Sequence, residues 1–282
     1  GVPDGRAAGV VRLSARATTD APGASITAYT LYVDGVAHDE TADGRFALDT
    51  TRLADGWHAL RVTAVDSTPV RAVGAWRGAL EVANAGRSVL LDLSFPAAGG
   101  GVAMLVAQAH VSGGAPIEVR LMQASRIVAT LPPDGADIRI PTRVLGAGTF
   151  TLQAVAEFAD GTAAISAADE VELTAGDVAP GGDPSNAAPR AFDTTVDLRP
   201  GRPRLIDLPG FAGDGGPVTV AVTTPPAQSE VRRDGGAFLL WPHATAAGTD
   251  TLTFAVTNAA GAAASARVRI RYCPAAAADV PV

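Results

Sequence analysis

Four histidines, one cysteine and a scatter of carboxylates are the residues of this chain whose types could do chemistry. Nucleophilic hydrolysis needs a Ser or Cys beside a base, yet no G-x-S-x-G elbow occurs and the only cysteine, Cys273, stands near the C-terminus. His38, His58, His110 and His243 are dispersed along the sequence rather than paired. H-E-x-x-H, Walker, dinucleotide-binding and EF-hand patterns are missing too. The expectation is therefore a chain with no catalytic residues, no cofactor-binding residues and no metal ligands, and so not an enzyme. Three groupings keep a second reading. His38 with Asp39, Glu40 and Asp43 is a cation site or an ordinary acidic turn. Trp57, Trp76, Tyr29 and Tyr32 are a flat aromatic platform for sugar rings, or the two tryptophans cover a sheet edge or pack between units. Cys273 is a thiol tolerated at a domain edge, or a crosslink or attachment point.

What would position such residues is read from the rest of the sequence. At 282 residues the chain exceeds one ordinary domain. It is 47% hydrophobic but only 5% aromatic and 18% charged, which suits several small β domains. Its 22 basic residues are all Arg, and against 29 acidic residues they leave a net charge of -7 without a basic stripe, so nucleic acid is excluded as a partner. The longest apolar run, "GVAMLVAQAHV" at 101 to 111, is about half a membrane span and reads as a buried strand, so no membrane span is expected. "GVPDGRAAG" at the start has neither a charged nor an apolar leader region, and the expectation is a mature or excised piece of an exported protein.

"DTTRLADGWHALRVTAVD" at 49 to 66 returns about ninety residues later as "IPTRVLGAGTFTLQAVAEFAD". Asp43-Gly44 and Thr51-Arg52 match Asp134-Gly135 and Thr142-Arg143 at an offset of 91 (134 − 43). Phe150, Leu152, Ala154 and Ala156 then follow His58, Leu60, Val62 and Ala64 at 92 (150 − 58). The extra residue is expected in "VLGAG", because loops accept insertions while a strand must keep its inward face. Alternation with period two places His58, Leu60, Val62 and Ala64 toward a core, and helical stripes are missing. The division expected is 1–86, 87–174, a Gly/Pro/Asp-rich linker at 175–189, 190–273, and a tail at 274–282. The fold class is all-β, with three Ig-like β-sandwich domains in series. Core positions are Leu31, Val33, Leu60 and Val62 in the first unit, Leu121, Leu152 and Ala154 in the second, and Leu252, Phe254, Val268 and Ile270 in the third. The first junction, "ANAGR" at 83–87, is short enough to be fixed by contacts near Trp76 and "VLGAG". The second reads as a loose tether open to proteolysis between about 176 and 188.

The first unit resembles bacterial Ig-like modules in Tyr32-Val33-Asp34-Gly35, Asp49-Thr50-Thr51, Leu53, Asp55-Gly56, His58, Leu60, Val62, Ala64 and Asp66. That resemblance implies a structural role for His58. The second unit joins it only through the repeat. The third resembles a cadherin-like or Ig-like module of large exported bacterial proteins, in its Gly/Asp turn, Pro-Pro bend, Trp241-Pro242 step and Gly248-Thr249-Asp250 entry. This second resemblance implies a secreted or cell-surface spacer or adhesive module. It also makes Asp193, Asp207 and Asp214 the candidates for calcium at a junction, against solvated turn carboxylates. The function expected is a non-catalytic structural or adhesive array. Its partners are other domains of the same precursor, cell-surface proteins or a glycan. The alternative is the C-terminal accessory region, spacer or glycan-binding, of a larger secreted enzyme.

Overall fold

A computed structural model describes residues 6–96, 104–123, 126–174, 177, 188–212, 216–234 and 237–273. Apart from single 3-10 turns and the isolated Asp177, its regular structure is strand.

The first unit contains β1 (Val10–Ser14), β2 (Ile26–Val33), β3 (Val36–Thr41), β4 (Arg45–Asp49), β5 (Asp55–Asp66) and β6 (Val73–Val82). One sheet runs β3-β2-β5-β6 and the other is the pair β1-β4. A two-residue turn joins β2 to β3. Asp34 (φ 48) and Gly35 (φ 78) both take the left-handed backbone that such a hairpin requires, which is why "VDG" stands there. Leu31, Val33, Leu60 and Val62 meet Phe46, Leu48 and Leu80 in the core, as the alternation predicts.

The second unit repeats the plan with β7 (Ser88–Ser94), β8 (Met104–Ser112), β9 (Pro116–Gln123), β10 (Arg126–Leu131), β11 (Ile138–Pro141), β12 (Gly148–Phe158), β13 (Ala163–Ile165) and β14 (Asp169–Leu173). Its sheets are β10-β9-β12, with β13 and β14 both on β12, and β11-β8-β7. Leu121, Leu152 and Ala154 are fully buried between them.

The inserted residue is not where the sequence placed it. The 3-10 turns after β4 and β11 begin at Thr50 and Thr142, which is already an offset of 92 (142 − 50). In each turn the threonine is buried, and its carbonyl accepts the amide of a buried leucine, Leu53 or Leu145. Burial rather than letter identity sets the match: Thr50, not Thr51, pairs with Thr142. The extra residue therefore lies before β11, after the Asp134-Gly135 turn, and "VLGAG" has the same length as "LADG" with its preceding Arg52.

The third unit has β15 (Arg190–Ala191), β16 (Thr194–Leu198), β17 (Arg204–Ile206), β18 (Gly210–Phe211), β19 (Val218–Thr224), β20 (Ser229–Asp234), β21 (Ala237–Pro242), β22 (Gly248–Asn258) and β23 (Ala263–Tyr272). Sheets β16-β23-β22-β19 and β17-β21-β20 enclose Leu252, Phe254, Val268 and Ile270, all with no exposed surface.

Candidate functional site: the places where the units meet

Asp55 and Gly56, at the start of β5, build the first junction. The Asp55 carboxylate is buried and accepts the amides of Asn84 (2.6 Å), Ala85 (3.0 Å) and Arg87 (2.8 Å), so the connecting segment is wrapped around one side chain. Asn84 itself donates to the Thr50 carbonyl at 2.7 Å. β13 then runs parallel to β5, with Ala164 opposite Asp55 and Ile165 opposite Gly56. Gly56 has φ 109, and a β-carbon there would collide with the Ile165 carbonyl, so only glycine admits the approach. Ala54, Met122, Val155, Ala163 and Ile165 close a small apolar cluster across the seam. On the far side the Arg87 guanidinium holds Asp160 at 2.7 Å and lies 4.4 Å over the Phe158 ring. Two hydrogen bonds from Thr162 and the charge-assisted one from Arg87 hold the Asp160 carboxyl down at about 2. Contacts do cross this junction, but through residues other than those the sequence pointed to. Trp76 lies far along β6 from it, and "VLGAG" faces the third unit.

The second junction is not the free tether the composition implied. Leu205 donates its amide to the Gly35 carbonyl at 2.7 Å, and Ala37 donates to the Pro203 carbonyl at 2.9 Å, so β17 adds to the edge of β3. Gly35 again must be glycine, since a β-carbon would stand 2.6 Å from the Leu205 oxygen. Phe211 inserts into the core of the second unit, over Gly146 of "VLGAG", where a β-carbon would strike its ring. Phe192 stacks on Phe211 at 5.6 Å, and the Arg126 guanidinium sits 4.1 Å over Phe192. Thr142 Oγ1 donates to the Asp177 carbonyl at 2.5 Å. A Pro/Gly-rich linker leaves the chain free to swing only if the domain beyond it has no better place to rest. Here backbone amides and two phenylalanines supply one.

Where the three units converge there is a cavity of about 340 Å³, lined among others by Asp34, Arg61, Arg77, Gln153, Arg204 and Asp207. Burial raises the Asp207 carboxyl above its ordinary value, and the charge of Arg77 opposes that rise. The arrangement can pair charges and hold a boundary together.

The residues singled out in the sequence do not gather. His58 sits in the first core with no exposed side chain, its Nδ1 2.6 Å from Asp34 and its Nε2 2.8 Å from the Ala54 carbonyl. Burial works against the charged ring, but the Asp34 hydrogen bond and charge prevail and its pKa is raised. Trp57 is 40% and Trp76 49% exposed, yet Trp57 pairs with Glu81 and Trp76 with Val62, which puts the rings on opposite faces of one sheet. Tyr29 and Tyr32 are buried. The four aromatics form no shared platform. His38, Asp39 and Glu40 lie along β3 with Asp43 in the turn beyond it. No group of three His, Cys, Asp or Glu among the described residues is placed to hold a metal ion. Asp193 accepts the Arg267 amide at 2.8 Å, Asp207 faces the junction cavity, and Asp214 lies outside the described residues. The half-buried thiol of Cys273 follows β23, and its amide is bonded to the Leu198 carbonyl at 2.9 Å. No helix among the described residues is long and apolar enough to cross a membrane. The signal sequence reasoning missed is Asp55: it reads as a turn aspartate, and only the fold reveals the three amides aimed at it.

Residues 186–271, the span of the third unit, match the model of the bacterial Ig domain family. No curated protein sequence matches the chain. Among solved structures, mouse cadherin-23 EC22-24 is similar over 87% of this chain and 86% of that one, at 14% identity and TM-score 0.27. A Bacteroides ovatus mixed-linkage glucan utilization locus protein, SGBP-B, solved with a mixed-linkage heptasaccharide, is similar over 97% and 68%, at 13% identity and TM-score 0.30. The endo-fucoidan hydrolase MfFcnA9 is similar over 61% of this chain and 28% of that one, at 19% identity and TM-score 0.26.

Proposed function

We propose that this chain is a non-catalytic structural or adhesive array of an exported or cell-surface bacterial protein, built from three Ig-like modules at 1–86, 87–174 and 190–273. The observation that carries the reading is that backbone of one module is hydrogen-bonded to backbone of another at both junctions, β13 to β5 and β17 to β3. Such seams hold modules at set positions. The array then presents whatever its ends attach to, in the same precursor or on the cell surface, at a defined spacing. Limited proteolysis followed by gel filtration tests it. A nick between about residues 176 and 188 should leave the two fragments migrating together, and fragments that part would overturn the fixed array. Antibody against the chain should bind intact cells or the medium, and a purely cytosolic protein would overturn the location.

A further inference from the structure

The sheet β16-β23-β22-β19 of the third module turns Val268, Ile270 and Tyr272 inward, so Arg267, Arg269 and Arg271 stand in a row on its other face. Register sets this row between two others. Thr195 and Asp197 of β16 lie beside Arg269 and Arg271, and Thr251 and Thr249 of β22 lie on their other side. One end of the row is neutralised, because Arg271 donates to both oxygens of Asp197, at 2.5 and 2.8 Å. Arg267 and Arg269 are not. Among the described residues neither guanidinium makes a hydrogen bond or an ion pair, in a chain whose 29 acidic residues outnumber its 22 basic ones. Arg126 and Ile127 of β10, from the second module, complete a cavity of about 510 Å³ over this face. The carboxylates in its lining are turned to backbone amides, Asp193 to that of Arg267 and Asp250 to those of Gln228 and Thr251.

We propose that this face binds an acidic polysaccharide, a chain of sugars bearing ring carboxylates, with Arg267 and Arg269 taking carboxylates and Thr195, Thr249 and Thr251 taking hydroxyls. Residues two apart on a strand stand roughly 7 Å from each other, so the pair meets charges that recur along a polymer rather than one compact anion. The planar guanidinium fork matches the two oxygens of a carboxylate. No aromatic ring lines the cavity, which favours a ligand held by charge and hydroxyls over a neutral sugar that stacks. The remaining segments of this chain are poor competitors for the arginines. None carries more than one carboxylate side chain: Asp4 in 1–5, Asp183 in 178–187, Asp214 in 213–215 and Asp279 in 274–282. The net charge of -7 repels a polyanion at long range, so the attraction arises at contact and weakens as salt rises. This inference needs only the one face and its cavity, and it holds independently of the spacer reading.

Oligogalacturonate, titrated into the full chain in a calorimeter, is the probe. Saturable binding is expected, and Arg267→Ala and Arg269→Ala should each weaken it at least about tenfold, the worth of one charge-assisted hydrogen bond. Arg232→Ala removes an exposed charge from the other sheet of the same module and should change the affinity less than about twofold. The fully methyl-esterified oligomer has the same sugars without the charge and should not bind, which keeps the test sound even if a protein variant misfolds. Asp183→Asn should leave the affinity unchanged. No binding by oligogalacturonate, equal binding by its ester, an equal loss in Arg232→Ala, or tighter binding by a single-stranded oligonucleotide of the same charge each overturns the proposal. So does a gain of about tenfold in Asp183→Asn, which would assign the arginines to the chain's own linker.

Discussion

Asp55-Gly56 and Ala147-Gly148 hold the same place in the repeat, 92 residues apart (147 − 55), and they treat the departing chain in opposite ways. Asp55 gathers three amides of the segment that follows its module, whereas Ala147 has no side chain to do so. The second module is met instead by what comes after it, through Phe211 in its core, while β17 of the same third unit joins β3 of the first module. One carboxylate thus separates a junction made by the linker from a junction made by the next domain.

The largest effect expected on this comparison comes from the glycines. Both have positive φ, 109 and 117, so alanine strains either one by about 1 to 2 kcal/mol. At Gly148 that is the whole cost, because nothing stands within 4 Å of a β-carbon. At Gly56 the added carbon meets the Ile165 backbone and must also part β13 from β5. Gly56→Ala should cost more than about 4 kcal/mol in urea unfolding, and equal costs at the two sites would break the contrast.

Next come the two core leucines. Leu60 and Leu152 are equivalent and both buried, but Leu60 borders a cleft and Leu152 lies in a core closed by β7. Water can enter the void left by Leu60→Ala, so its cost should fall near about 2 kcal/mol, and that of Leu152→Ala near about 4 to 5 kcal/mol. Denaturant midpoints of the two variants check the order. A smaller change, about 2 to 3 kcal/mol, is expected for Asp55→Asn, which replaces a charged acceptor of three amides by a neutral one. Its telling readout is faster exchange of the Asn84, Ala85 and Arg87 amides. Unchanged exchange would mean that the clamp is not what fixes this junction.

The sequence was legible where side chains carry the pattern. Alternation located the cores, because inward residues must be apolar whatever the loops do. Asp34-Gly35 stood in the sequence only as part of a family resemblance, and the structure shows the two-residue turn that selects those residue types. The seams were not legible: β17 meets β3, and β13 meets β5, through main-chain groups common to all residues. The place of the inserted residue was misread for a related reason. Thr51-Arg52 looks like Thr142-Arg143 in letters, while the fold counts from the buried Thr50. The aromatic platform failed because spacing along β5 and β6 hides which residues face each other until the register is known.

His58 supplies the smallest and most selective difference, since Phe150 replaces it in the second module. The ring is enclosed by Asp34 and the Ala54 carbonyl, both acceptors, with the Asp55 charge near, and although burial opposes it the proton is held more firmly than in the unfolded chain. A native pKa above the unfolded value near 6.5 means the folded protein binds more protons in the window between the two. Stability gained from that proton is complete below about pH 6.5 and is lost as pH rises through the native value, with a slope of at most about 1.4 kcal/mol per pH unit. The first module should therefore unfold at lower urea as pH rises across that window. His58→Phe, which copies the second module, should flatten this slope whatever it does to the midpoint itself. Should the slope persist in His58→Phe, the proton concerned lies elsewhere, and the polar core of the first module is not what distinguishes its response to pH from that of its repeat.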